Sequence, residues 1–185
     1  MGVNIKKVAK KAGGYQYLLM VMRHAKTKQS SPDGDFARPL TDKGDKQAKK
    51  MAKGLVKVDL VPDRIAASSA QRAQETLEIM LKYLGDQPKV DSHKSLYEDG
   101  VQAIWDQLAQ SKDKTHRLMV LGHEPTLSVT CQWLASPASD PGLLDLLNVG
   151  LSPASIAIFG ANKPLKDWCT HEADLLAFIR PKDLD

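Results

Sequence analysis

With 185 residues, 42% hydrophobic and 26% charged, the chain is long enough to bury a sizeable core in one domain and too apolar to be disordered. Its 26 Lys and Arg against 22 Asp and Glu leave a net charge of +4, too small and dispersed for a nucleic-acid binder but suited to a small anionic ligand. Two distant cysteines argue against a disulfide scaffold, and the lack of a signal core or of ~18 successive apolar residues predicts a cytoplasmic protein with no membrane partner.

Residues 1–16 carry Lys6, Lys7, Lys10 and Lys11 and run into Gly13-Gly14, so they read as a basic, flexible extension. Two other readings are weaker. The Met1-Gly2 start is similar to an acylation signal, yet Lys6 stands where Ser or Thr is wanted. Ile5, Val8 and Ala9 at helical spacing suit the first helix of a helix-turn-helix, but no recognition helix follows before Leu18.

The first strand is predicted from Leu18 to Met22, five apolar residues in a row, as in a parallel sheet covered on both faces. It ends in Arg23-His24. Every strand must end in something polar, so this pair alone does not distinguish a site from a solvated loop start. Lys28 to Pro39 is a loop rich in Ser, Asp, Gly and Pro, ending in Arg38-Pro39-Leu40. Thr41 then suits an N-cap, and Ala48, Met51, Ala52, Leu55 and Val56 repeat at helical spacing, with Lys46, Lys49, Lys50 and Lys53 toward solvent.

Arg64 to Ala67 reads as a second strand, followed after Ser68-Ser69 by a helix from Ala70 to about Leu84 with Ala73, Thr76, Leu77, Met80, Leu81 and Leu84 inward. Arg72 falls in its first turn. The helix dipole disfavours a cation there, and the placement makes sense if an anion lies between the guanidinium and the free amides. Pro88 to Asp91 predicts a third strand, and Val101, Ile104, Trp105 and Leu108 an amphipathic helix. Leu118 to Leu121 is another strongly apolar strand, ending in Gly122-His123-Glu124-Pro125. Helices over 127–134 and 143–147 and strands over 156–159 and 175–179 close the chain. The alternation predicts a three-layer α/β/α sandwich on a mostly parallel central sheet. His93, His116 and His171 read as exposed, the three tryptophans Trp105, Trp133 and Trp168 as core, and Cys131 as a small buried hydrophobe.

Three strand ends or strand-to-helix turns thus carry Arg23-His24, Arg72 and Gly122-His123. In a parallel sheet such ends lie along one edge. Two arginines and two histidines meeting there form a trap for a tetrahedral dianion such as phosphate or sulfate, because each guanidinium offers paired hydrogen bonds to its oxygens. An imidazole among arginines keeps its lone pair at physiological pH and can attack phosphorus. Hydrolysis then splits into two displacements through a covalent phosphohistidine.

Met22-Arg23-His24-Ala25, Ser68-Ser69 with Arg72-Ala73 and Thr76, and Leu121-Gly122-His123 together resemble the three motifs of the histidine phosphatase superfamily, which includes cofactor-dependent phosphoglycerate mutase. More narrowly, Arg38-Pro39-Leu40-Thr41, Leu96-Tyr97-Glu98, Gly122-His123-Glu124-Pro125 and the closing Phe178-Ile179-Arg180-Pro181-Lys182-Asp183-Leu184 are similar to the small SixA-type phosphohistidine phosphatases. The resemblance covers the chain from about Tyr17 to its end. It implies a phosphoglycerate mutase-like fold, with residues 17–185 forming a single histidine phosphatase domain. His24 would be the nucleophile, Arg23, Arg72 and His123 would hold the phosphoryl group, and Arg38 would complete the anion pocket. Neither metal nor cofactor is implied, and no carboxylate cluster has metal-ligand spacing. Ala25 replaces a glycine common in the wider superfamily, as is usual in the small branch. Larger relatives carry a glutamate acid in an insertion. Here Glu98 is the carboxylate expected as general acid, with a solvated loop residue as its alternative.

The expected activity is a metal-independent phosphatase working through phospho-His24 on protein phosphohistidine in signal transduction, since a departing imidazole needs less acid help than an alcohol. The alternatives are a phosphatase for small phosphate esters or other phosphoproteins, and a catalytically silent phosphate-binding adaptor. The two histidines and three arginines argue against the adaptor. A mutase ranks lower, because the chain lacks the length for substrate-enclosing insertions. The expected partner is a phosphorylated protein or small molecule, without nucleic acid, and the default state is a monomer.

Overall fold

A computed structural model describes residues 3–184. Six strands, β1 (Tyr17–Arg23), β2 (Arg64–Ser68), β3 (Lys89–His93), β4 (Arg117–Gly122), β5 (Ile156–Ala161) and β6 (Asp174–Ile179), form one sheet in the order β3-β2-β4-β1-β5-β6. β1 pairs in parallel with β4, β4 with β2, and β2 with β3, whereas β5 runs antiparallel to both β1 and β6. The sheet is therefore mostly parallel, with β5 alone reversed.

The period of two along the central strands creates two cores. Leu18, Met20 and Met22 of β1 point into one, Tyr17, Leu19 and Val21 into the other. The first core is closed by α1 (Ile5–Ala12), α2 (Asp42–Lys57) and α3 (Gln71–Leu84), the second by α4 (Ser95–Glu98), α5 (Gly100–Ala109), α6 (Thr126–Leu134) and α7 (Pro141–Asn148). The result is the expected three-layer sandwich. Leu19, Met20, Val21 and Met22 are 0% exposed, and each such side chain is worth about 1.5–3 kcal/mol of transfer free energy.

The N-terminal expectation needs correction. Residues expected as a flexible arm form α1, capped by the Asn4 side chain, which accepts from Lys7 N at 3.1 Å. Its lysines face out while Val8 and Ala12 enter the first core, so even this short apolar stripe is enough to seat a basic helix on the sheet. Met1 and Gly2, weighed as an acylation signal, lie outside the described residues.

Other differences follow from helix geometry. Thr41 caps α2 as expected, accepting from Gly44 N at 3.1 Å, but Val56 sits at the rim of the apolar stripe and is exposed. Trp133, expected in the core, is 47% exposed: it lies about 120° around the helix from Leu127, which is buried. Trp105 is half-buried and Trp168 buried, while Cys131 is fully buried as expected. His116 and His171 are exposed, but His93 ends β3 half-buried.

Register places the polar strand ends together. Arg23 stands opposite Gly122, and Ala67 opposite Leu121, so the residues after β1, β2 and β4 emerge side by side.

Candidate active site

His24 is the first residue beyond β1, and its backbone is held on both sides. Its N–H donates to Gly122 O at 3.1 Å, and its carbonyl accepts from Ala154 N at 3.0 Å. The next amide, Ala25 N, donates to Thr76 Oγ1 at 3.0 Å, and that hydroxyl donates to Arg72 O at 2.7 Å. Lys26 O then accepts from Thr41 N at 2.9 Å, close against the start of α2. A Cβ on Gly44 would stand 2.2 Å from that oxygen, which is why the helix carries glycine there.

The His24 ring is buried, with Nδ1 2.8 Å from Ala25 O. A carbonyl oxygen only accepts, so Nδ1 carries the proton and Nε2 the lone pair. Nε2 in turn accepts from Arg72 Nε at 3.3 Å. His123, the first residue beyond β4, places its ring centroid 5.2 Å from that of His24, the planes at 52°. Its Nε2 lies 2.7 Å from Ser68 Oγ, which also accepts from Ala70 N at 3.2 Å. The Ser68 hydroxyl keeps one hydrogen and one lone pair for His123 Nε2, so it can serve either tautomer of that ring. His123 Nδ1 is buried and has no hydrogen-bond partner among the described residues.

Arg72 enters from the first turn of α3 and is buried, as its predicted position at a helix N-terminus requires if it serves the pocket. Arg23 points its Nη1 to Leu151 O at 2.8 Å, while its Nε is buried without a partner among the described residues. Arg38 follows a 3-10 turn over Asp35–Ala37 and precedes Pro39, which keeps its backbone extended. Its Nη1 donates to Lys28 O at 3.1 Å. The structure thus brings together His24, Arg23, Arg72, His123 and Arg38.

Asp35 carries no mark in the sequence beyond a spacing of three residues from Arg38. Arg72 donates from Nη1 to Asp35 O at 2.8 Å and from Nη2 to Asp35 Oδ2 at 3.2 Å. Arg38 Nε lies 2.8 Å from Asp35 Oδ1 as an ion pair without hydrogen-bond alignment, and Tyr97 OH donates to Oδ2 at 3.0 Å. The Tyr97 ring packs edge-on to His123 and Phe36, with centroids 5.6 and 5.1 Å away. Glu98 is turned elsewhere. One residue is about 100° of helix rotation, and Glu98 pairs with Lys94 at 2.9 Å while Tyr97 takes the pocket.

Burial first, and then the nearby arginines, keep both histidines neutral. His24 is pushed down to about 4 by desolvation, Arg72, Arg23 and Arg38, against the pull of Ala25 O. His123 is pushed down to about 3 by desolvation, Arg72 and His24. Desolvation likewise lowers the Arg23 guanidinium, countered by Glu124. For Asp35 desolvation works upward, but the Tyr97 hydroxyl, Arg72 and Arg38 together hold its carboxyl below the usual range.

A pH dependence of stability is the consequence. Between the ordinary histidine value of 6.5 and about 3, the unfolded chain binds protons at positions 24 and 123 that the folded chain refuses. Stability therefore rises with pH across that window and is lost as pH falls through it. Urea titrations from pH 7 to pH 4 should show a steady fall, made shallower in a His123→Gln variant. An identical slope in the variant would remove His123 from the account.

Among the described residues no three His, Cys, Asp or Glu side chains are grouped as metal ligands. What the site offers is three guanidiniums and one imidazole lone pair, a donor set suited to a tetrahedral anion.

Comparison with known proteins gives consistent findings. A family model described as the histidine phosphatase superfamily (branch 1) matches residues 19–99. A protein of Mycobacterium tuberculosis is 30% identical over 141 residues, covering 74% of this chain and 85% of that protein. Among solved structures, the proposed phosphohistidine phosphatase SixA of Nakamurella multipartitia superposes with a TM-score of 0.76 at 26% identity, over 89% of this chain and 96% of that one. A protein histidine phosphatase SixA complexed with tungstate gives a TM-score of 0.74 at 19% identity, over 91% of this chain and 99% of that one.

Proposed function

The chain belongs to the histidine phosphatase superfamily, in its small SixA-type branch, and on that premise we propose that it hydrolyses protein phosphohistidine through a phosphoryl group carried on His24. One observation carries this reading: the lone pair of a neutral imidazole, His24 Nε2, is aimed into a pocket of guanidiniums.

In the first displacement His24 Nε2 attacks phosphorus, a P–N bond forms, and the bond from phosphorus to the substrate imidazole breaks. A phosphorylated imidazole protonated on its other nitrogen departs neutral, so this step needs no strong acid. In the second, water attacks phosphorus, the P–Nε2 bond breaks, and phosphate leaves with His24 restored. Arg23, Arg38 and Arg72 match the charge on the equatorial oxygens, and His123 Nδ1–H donates to one of them. Asp35, ionised at the pocket mouth, is the carboxylate placed to take the proton from water. Glu98, expected as the general acid, is paired with Lys94.

The guanidiniums supply the positive charge that phosphoryl transfer needs, so the reaction is proposed to run without a metal. Two free cysteines, Cys131 and Cys169, and the absence among the described residues of a helix long and apolar enough to cross a membrane support the proposed cytoplasmic location. The working unit is proposed to be a monomer.

The test compares a histidine-phosphorylated phosphotransfer domain with an alkyl phosphate ester, each with and without EDTA. Phosphate release from phosphohistidine should exceed release from the ester by roughly 100-fold or more, the scale of the acid help that an alkoxide requires. The chelator should change neither. A faster ester, or loss of activity in EDTA, would overturn the substrate or the metal-free reading respectively.

A further inference from the structure

We propose that a basic groove beside the pocket docks an acidic segment of the phosphoprotein substrate, an inference that rests on the reading of protein phosphohistidine above. The groove, of about 760 Å³, is lined by Lys43, Lys46 and Lys50 of α2 and by Arg180 and Lys182 at the C-terminal end. Among the described residues no carboxylate lines it. Arg180 is fixed by Asp183, donating from Nε at 2.9 Å and from Nη2 at 3.0 Å, whereas Lys43, Lys46 and Lys182 form no ion pair among the described residues.

The groove shares its walls with the pocket. Gln47, in the groove, accepts from Lys26 N at 3.0 Å, two residues beyond His24. Gly150 precedes Leu151, whose carbonyl holds Arg23, and Pro153 precedes Ala154, whose amide holds His24 O. A protein that inserts a phosphorylated side chain into the pocket therefore lies over the groove, while a free amino acid is too small to reach it.

Cations of one sign on a concave wall focus the potential, draw an acidic partner and fix its orientation. Val149 adds an apolar anchor at the rim. It is 87% exposed, and a solvated valine beside such a groove suits an acidic segment that also carries an apolar side chain. The concavity suits a chain segment rather than a flat anionic bilayer.

The experiment reverses three charges at once, Lys43→Glu, Lys46→Glu and Lys182→Glu, and assays a histidine-phosphorylated, acidic phosphotransfer domain beside free phosphohistidine. Lys43 and Lys46 are exposed near the N-terminus of α2, where glutamate complements the helix dipole, so the variant should fold. For the protein substrate kcat/KM should fall roughly tenfold or more, mostly through KM, and the wild-type rate should itself fall with added salt. Free phosphohistidine should change less than about twofold. An unchanged protein rate overturns the groove while leaving the proposed function standing, and an equal loss on both substrates also overturns it. A wild type that consumes free phosphohistidine but no phosphoprotein overturns the substrate reading and the docking surface together.

Discussion

Replacing His24 with alanine should lower phosphate release by roughly 10⁴-fold or more, the scale on which removal of a nucleophile acts. The expectation is specific because the ring is held rather than merely present. Its amide and carbonyl are tied to Gly122 and Ala154, its Nδ1–H is committed to Ala25 O, and Nε2 is the one nitrogen left with a lone pair. Those ties run largely through backbone groups that alanine keeps, so His24→Ala should fold. Circular dichroism would check that point. The chemical signature is a labelled protein trapped when wild type is quenched with alkali during turnover of ³²P-phosphohistidine, because a phosphoramidate survives base and is lost in acid. The label should be absent from His24→Ala and slow to form in His123→Ala. Label persisting in His24→Ala would move the nucleophile to another residue.

The parts of this site that could be read from the sequence are those carried by regular elements. Leu18 to Met22 and Leu118 to Leu121 are apolar on both faces, so they had to be central strands, and the residues just after a central parallel strand lie on the ligand edge. Arg72 was legible because a cation in the first turn of a helix calls for an anion. Loop residues and directions left weaker marks. Nothing in Ile156 to Phe159 says that β5 runs backward against β1, since an apolar run has no polarity. Asp35 sits in a Ser-, Asp- and Gly-rich loop where one carboxylate looks like another until the 3-10 turn brings it to Arg72. Glu98 has the chemistry of an acid, and the rotation of one short helix turns it to Lys94 while Tyr97 meets Asp35. Ile5, Val8 and Ala9 show helical spacing, but among four lysines the stripe is too thin to say that Val8 and Ala12 enter a core.

Arg72→Lys should lower kcat/KM by roughly 10²- to 10³-fold, the range measured when one preorganised donor to a developing oxyanion is lost. Lysine keeps the charge, so a purely Coulombic role would leave activity almost intact. The geometry requires more than charge. Arg72 directs Nε to the nucleophilic nitrogen of His24 and its two terminal nitrogens to Asp35, three directions from one plane. An ammonium on a flexible stem cannot reproduce that fork. The site is also dry at this point, with the Arg72 side chain 5% exposed against 22% for Arg38, so each aligned bond counts for more. Arg38→Lys should therefore cost less than Arg72→Lys. Asp35 occupies the terminal nitrogens that phosphoryl oxygens need, its main-chain carbonyl on Nη1 and its carboxylate on Nη2, and an incoming substrate must take them over. Asp35→Asn weakens that competitor, so inorganic phosphate should inhibit this variant at lower concentration than wild type, while Arg72→Lys should resist it. Steady-state kinetics with phosphate as inhibitor would read both shifts, and Arg72→Lys with wild-type kcat/KM would show that the buried fork takes no part in the reaction.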